Sequence, residues 1–375
     1  MTVPLSILDL SPISEGCDAA MALRNTVDLA QHAEDWGYKR YWLAEHHFVA
    51  VASSQPAVLI GQIAAATSRI RVGAAAVQLG QTTSVAVVES FGTLDAFHPG
   101  RIDLGVGRSG QRRREALADA ASKPKAEHPP EWRDVGGVIV PPPFDVSALM
   151  RNPRLRAKMS VLQQPEAVAA GFADQVDDIL ALLDGSYRIA YQDGTVDAHA
   201  TPGERSALTP WVFGSSKGQS AQVAGGRGLP FVASYHITPA TALDAVEVYR
   251  AAFQPSDALA EPYVVVSADV VVADDSETAH RLASSYGHWV YSIRAGDGAV
   301  PYPNPDTVPP LSHEQRELVK DRTATQFVGD PDEVAAGLET LQRVTEADEL
   351  VVTSVTHSHS DRLRSHELLA KRWSL

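Results

Sequence analysis

Between Leu5 and Gly107 the sequence repeats one pattern four times: an apolar run of strand length, a turn, then apolar residues at helical spacing. The runs are Leu5-Ser-Ile-Leu-Asp-Leu10, Tyr41-Trp-Leu-Ala44, Ile70-Arg-Val-Gly-Ala-Ala-Ala-Val77 and Arg101-Ile-Asp-Leu-Gly-Val-Gly107. In the first intervening stretch Leu23, Val27, Ala30, Ala33 and Trp36 share a helical face, and Gly37 stops it. Pro56 opens the second helix, and Ser84 to Phe97 forms the third. Strands that alternate with helices pair in parallel, because each crossover helix returns the chain to the same end of the sheet. The pattern resumes further on with Pro210–Gly214, Leu229–Tyr235, Tyr263–Ala273 and Glu349–Val355. Eight such strands favour a closed (β/α)8 TIM barrel over an open sheet, with residues 1–375 as one domain.

Two stretches interrupt the pattern and are expected to be insertions at the carboxyl-end loops. Residues 111–165 carry Pro124, Pro129-Pro130 and Pro141-Pro-Pro143, and the loop 294–318 is again rich in proline. Long irregular loops in a compact domain are usually lids or binding loops, so both are candidate lid segments. Trp132, Val138, Ile139, Val140 and Phe144 give the first an apolar surface that must meet substrate, barrel or partner. A dimer arm is the competing reading. A helix over Glu166–Leu183 and another over Glu277–Ile293 complete the expectation.

The net charge of −14 repels a phosphate backbone, and no basic stripe interleaved with aromatics offsets it, so no nucleic-acid partner is expected. Arg112-Arg-Arg114 reads as a solvated helix start. Cys17 is the single cysteine, which excludes an intramolecular disulfide and suits a reducing, cytoplasmic setting. No basic leader precedes an apolar core, and no membrane span or membrane partner is expected.

Chemistry collects just past the strand ends. The second strand runs straight into Glu45, His46 and His47, and groups in that position line the ligand crevice of βα folds. The plainer reading has one histidine capping and the other solvated. Gly214-Ser-Ser-Lys-Gly-Gln-Ser220 follows the fifth strand and opens a helix, so its N–H groups and hydroxyls suit a phosphate. Arg108, past the fourth strand, can grip the same anion, although most Gly/Ser loops are merely turns. No dinucleotide or mononucleotide fingerprint is present. Glu45-His46-His47 with His357-Ser-His359 could ligate a metal, but no metal site is the expected outcome.

These motifs together resemble the bacterial luciferase-like flavin-dependent monooxygenases. The resemblance rests on Arg40-Tyr-Trp-Leu-Ala-Glu-His-His47, Ile70-Arg-Val-Gly73, Val88-Glu-Ser-Phe-Gly-Thr-Leu-Asp95, His98-Pro-Gly-Arg-Ile-Asp-Leu-Gly-Val-Gly-Arg108, Gly214-Ser-Ser216 and Gly228-Leu-Pro230. It implies an enzyme that uses reduced FMN, supplied by a separate flavin reductase, and O2 as cosubstrate to oxygenate a small organic molecule. A large apolar, polyketide-like intermediate of secondary metabolism is the expected substrate, and a homodimer the expected assembly. Position by position, it makes His46 the catalytic histidine, with Glu45 orienting it, and puts Arg108 on the flavin phosphate. Gly214, Ser215, Ser216 and Ser220 fall in the second phosphate loop, which is one residue longer than usual. Ala75 and Ala76 match a non-prolyl cis peptide beside the flavin ring, and Gly107 leaves room near its reactive carbon. Gln78-Leu-Gly-Gln-Thr-Thr-Ser84 departs from the family's proline-containing loop. Two alternatives stay open within the same superfamily: a deazaflavin-dependent hydride-transfer enzyme, and a flavin-binding protein without catalysis.

Overall fold

The computed structural model describes residues 2–108, 131–146, 152–163, 167, 170–214, 216–295 and 298–375. Its centre is a closed barrel of eight parallel strands. They are β1 (Leu5–Asp9), β2 (Arg40–Leu43), β3 (Arg71–Ala74), β4 (Ile102–Gly107), β5 (Pro210–Gly214), β6 (Phe231–Ala233), β7 (Val264–Val272) and β8 (Glu349–Thr353). Closure is made by β5 on β4 and by β8 on β1.

Side chains alternate along a strand, so every second residue enters the barrel and the inward residues stack in layers. The layer at the amino-terminal end is ionic. Arg40 meets Asp103 at 3.2 Å and also Glu349, which accepts from Tyr263 at 3.0 Å and Ser6 at 2.5 Å. Charges this buried persist because each is paired and hydrogen-bonded. One step up each strand lie Leu8, Trp42, Trp211, Val232, Val265 and Val351, a solid apolar plug. Trp42 fits there only because Gly73 faces it: a Cβ on Gly73 would lie 2.5 Å from the indole and 2.7 Å from the Asp103 carbonyl. The next inward layer opens into a cavity at the carboxyl-terminal end.

All eight expected strands are present, with local differences. The third expected run breaks after Ala74 at a cis peptide between Ala75 and Ala76, and the chain rejoins β4 as Val77–Gln78. The single helix expected over Glu277–Ile293 is two, Ser276–Ala283 and Tyr286–Arg294. A helix, His313–Thr323, which begins inside the 294–318 loop, and a short strand, Phe327–Gly329 on the end of β7, are additions to the expected elements.

Within the 111–165 insertion, Arg133–Val135 and Val138–Val140 form a hairpin through Gly136-Gly137, both at positive φ as a tight two-residue turn requires. Val138 and Val140 are buried, Tyr235 donates to the Ile139 carbonyl at 2.7 Å, and Arg343 donates to the Gly136 carbonyl at 2.9 Å. The apolar surface therefore meets the barrel's own helices Pro239–Ala252 and Pro331–Thr345. No residue of 131–146 is among those lining the cavity. The Phe144 ring lies under the Arg294 guanidinium at 3.8 Å. Residues 109–130 and 147–151, including Arg112-Arg-Arg114, lie outside the described residues. The other candidate lid segment does come to the mouth: Ala299 lines the cavity, and its carbonyl accepts from Ala50 N at 2.8 Å.

Candidate active site

The cavity at the carboxyl ends of the strands holds about 390 Å3. Strand alternation explains what lines it. The inward parity that gives Trp42 and Ala44 on β2 gives His46 next; Val232 on β6 leads to Ser234 and His236; Val265 on β7 leads to Ser267 and Asp269. Ser53 holds the β2 end in place, since its hydroxyl donates to Ala44 O at 2.5 Å and its carbonyl accepts from His46 N at 2.9 Å.

His46 faces the cavity, and its environment keeps the ring neutral. Burial, reinforced by the neighbouring His47, lowers its pKa to about 4. The expected partnership with Glu45 is not made. The Glu45 carboxylate lies 3.1 Å from His47 Nε2 through one oxygen and accepts from Gln78 N at 3.1 Å through the other. Its backbone carbonyl accepts from Gln78 Nε2 at 2.6 Å. Glu45 instead ties the β2 end to the Gln78 segment.

Ala75, Ala76 and Gly107 line the cavity together. The peptide between Ala75 and Ala76 is cis, and a Cβ on Gly107 would approach Ala76 to 3.3 Å. With two alanines and a glycine, this part of the wall is poor in side chains. Beside it Arg108 is buried, and its Nε donates to Ser220 Oγ at 2.9 Å. Gly218 lies under the guanidinium, where a Cβ would come within 2.8 Å of Arg108 Nη2 and 3.2 Å of Ser216 Oγ. Gly214 needs its missing side chain too, with Phe231 and Ser220 at 2.8 and 2.9 Å from the Cβ position. Arg108, Ser216 and Ser220 thus converge at the start of the helix Gln219–Gly226, whose first N–H groups and dipole favour an anion. Ser215 lies outside the described residues. Lys217 turns away to Asp244, at 3.1 Å. This donor set and its narrow cradle fit a phosphate monoester, and the side-chain-poor wall fits a planar ring.

Several polar residues of the cavity escaped the sequence reading, His236, Asp269 and Arg322 among them. His236 lies 2.5 Å from Ser267 Oγ through Nδ1, and burial, then Arg322 and His46, lower its pKa to about 3. Asp269 is buried on β7, which raises its pKa against the pull of Arg322, 3.4 Å away. Tyr286 bridges the pair, donating to Asp269 and accepting from Arg322 at 2.5 Å. Much of the remaining lining is apolar, with Val49, Val51, Trp289, Ile293, Ala299 and Val355. The candidate metal histidines lie elsewhere: His359 Nε2 is 2.7 Å from Asp28, and His357 Nε2 is 3.1 Å from the Glu15 carbonyl.

A family profile described as luciferase-like monooxygenase matches residues 3–130 and 159–346. The Bacillus subtilis (strain 168) protein YvbT is 37% identical, over 98% of this chain and 96% of its own. A luciferase-like monooxygenase of Escherichia coli (strain K12) is 33% identical over the same shares of the two chains. Among solved structures, apo-MsnO8 superposes with a TM-score of 0.77 at 28% identity, covering 100% of this chain and 98% of that one. The barrel, its carboxyl-end cavity and these likenesses together make the chain an enzyme of the luciferase-like monooxygenase family.

Proposed function

We propose that the protein is a flavin-dependent monooxygenase that takes reduced FMN from a separate reductase and, with O2, oxygenates an organic substrate with an apolar body. One juxtaposition carries this reading: Ala75, Ala76, Gly107 and the neutral imidazole of His46 line one cavity, and the Arg108–Ser220 cradle begins at the residue next to Gly107. Arg108, Ser216 and Ser220 would hold the FMN phosphate, with Gly214 and Gly218 admitting it. The Ala75–Ala76 wall would carry the ring. Reduced flavin, when bound, supplies the electrons that activate O2.

The chain's own residues do the rest. His46, neutral at physiological pH, is suited to hold or pass a proton at the reacting oxygen through whichever ring nitrogen faces it. The apolar wall and the 298–302 segment keep water from the site, which suits chemistry that water would short-circuit. A polyketide-like intermediate is one substrate class whose body suits that wall.

Titration of the wild type and Arg108→Ala with FMN tests the cradle. The substitution is expected to weaken binding by about 1–3 kcal/mol, the scale of a lost charge-assisted hydrogen bond. An unchanged dissociation constant would remove Arg108 from the phosphate site. Parallel titration with a deazaflavin decides the alternative: preference for the deazaflavin over FMN would make this a hydride-transfer enzyme.

A further inference from the structure

The mechanism above leaves His236 and Arg322 unused, although both line the cavity and both are costly to bury. The hydrogen bonding of His236 defines which way it faces chemically. Its Nδ1 lies against Ser267 Oγ, and that hydroxyl donates its one proton to the Ala233 carbonyl at 3.3 Å. Ser267 therefore accepts from Nδ1–H, so in a neutral ring Nε2 carries the lone pair. No described protein group donates to that nitrogen, on a residue that lines the cavity. Next to it stands the Arg322 guanidinium, whose Nη2 is taken by Asp269 and Tyr286 and whose buried Nε has no acceptor among the described residues. A bare acceptor and a cation with one unused donor thus belong to a cavity whose lining is otherwise largely hydrocarbon.

Resting on the flavin-enzyme reading of the same cavity, we infer that His236 and Arg322 form the substrate's head-group pocket. It takes an amphipathic acid whose anionic oxygens pair with Arg322 and whose adjacent N–H or O–H donates to His236 Nε2. The apolar body then lies along Val49, Trp289 and Ile293. Asp269 positions Arg322 and does not itself meet the substrate. The pairing is selective in both senses: a neutral head leaves the Arg322 Nε without an acceptor, and a head without a donor leaves the His236 lone pair unmatched, each a desolvated group without its partner.

Three probes with the same tail separate these elements by calorimetry on the flavin-free protein: 2-hydroxyoctanoate has the anion and the donor, 2-oxooctanoate only the anion, and octane-1,2-diol only the donor. The wild type is expected to bind 2-hydroxyoctanoate about tenfold more tightly than either other probe, equivalent to about 1.4 kcal/mol. His236→Leu should abolish the hydroxy-over-oxo preference while leaving the acid-over-diol preference. Arg322→Met combined with Asp269→Asn, which leaves no unpaired carboxylate buried, should do the reverse. Equal binding of the three probes by the wild type, or a preference that survives its variant, would overturn the assignment. FMN titration of the same proteins separates the two readings: a wild type that discriminates among the probes but fails to bind FMN would remove the flavin reading and leave the head-group pocket standing.

Discussion

A single position on β2, Trp42 to Ala44 to His46, shows how one residue acquires its role. Two steps below His46 the same face builds solid core, and two steps above it the face meets a cavity. A lowered pKa keeps the ring free of charge, so it offers both a lone pair and an N–H at neutral pH. His46→Ala is therefore expected to leave FMN affinity nearly unchanged and to lower turnover by about 10² or more, the scale of a positioned acid–base group. Turnover at the wild-type level in a coupled oxygenation assay would make His46 a lining residue only. His47 is the useful control, because it is bound to Glu45, whose other carboxylate oxygen accepts from Gln78 N. Its replacement should act on the stability of that loop more than on turnover.

Elements, not single residues, decide how large the cavity is. The plug beneath it needs Trp42, and Trp42 needs Gly73, so β2 and β3 are matched in size across one register pair. Gly73→Ala should cost about 1–3 kcal/mol through overpacking, since neither the indole nor the Asp103 carbonyl can retreat; urea denaturation that gives a wild-type midpoint would show that the layer can relax. This layering also explains what was legible. The eight strand runs stood out because a parallel barrel buries both faces and its strands read as apolar blocks. Polar residues just past a block carry a signal of their own: it marked Glu45, His46 and Arg108, while His236, directly after the Leu229–Tyr235 run, stood in the same position and was passed over. Ser267 and Asp269 interrupt an otherwise apolar β7, a cue that periodicity alone carries. Arg322 gave none. It ends a charged helix, and only tertiary packing of His313–Thr323 against Tyr286–Arg294 brings it to the cavity. The hairpin in the insertion was hidden for a related reason, because an apolar surface in sequence does not say which surface it will meet.

At the scale of the whole molecule, several imidazoles are buried without charge, and that links folding to pH. His236 is held to a pKa of about 3, by burial first and then by Arg322 and His46. His366 is held to about 3 by burial and Arg362, with its ring edge-on to Tyr38 and its Nδ1 without a partner. In the unfolded chain both rings titrate near 6.5. Below that pH the unfolded state binds protons that the folded state refuses, so stability rises with pH between about 3 and 6.5 and is complete above it. At pH 5 each of these two rings is about 1.5 units below its unfolded pKa, a loss of about 2 kcal/mol apiece relative to pH 7 or higher. Asp269, raised by burial, acts in the opposite sense and offsets part of this. Urea unfolding at pH 5 and pH 7 should therefore give a clearly lower free energy at pH 5. His46, held to about 4, adds a contribution of similar size, so His366→Leu should remove about a third of the difference, and because that ring lies outside the cavity its loss leaves the barrel mouth intact. A wild-type unfolding free energy independent of pH over this range, or an undiminished slope in the variant, would mean that these histidines charge freely inside the fold.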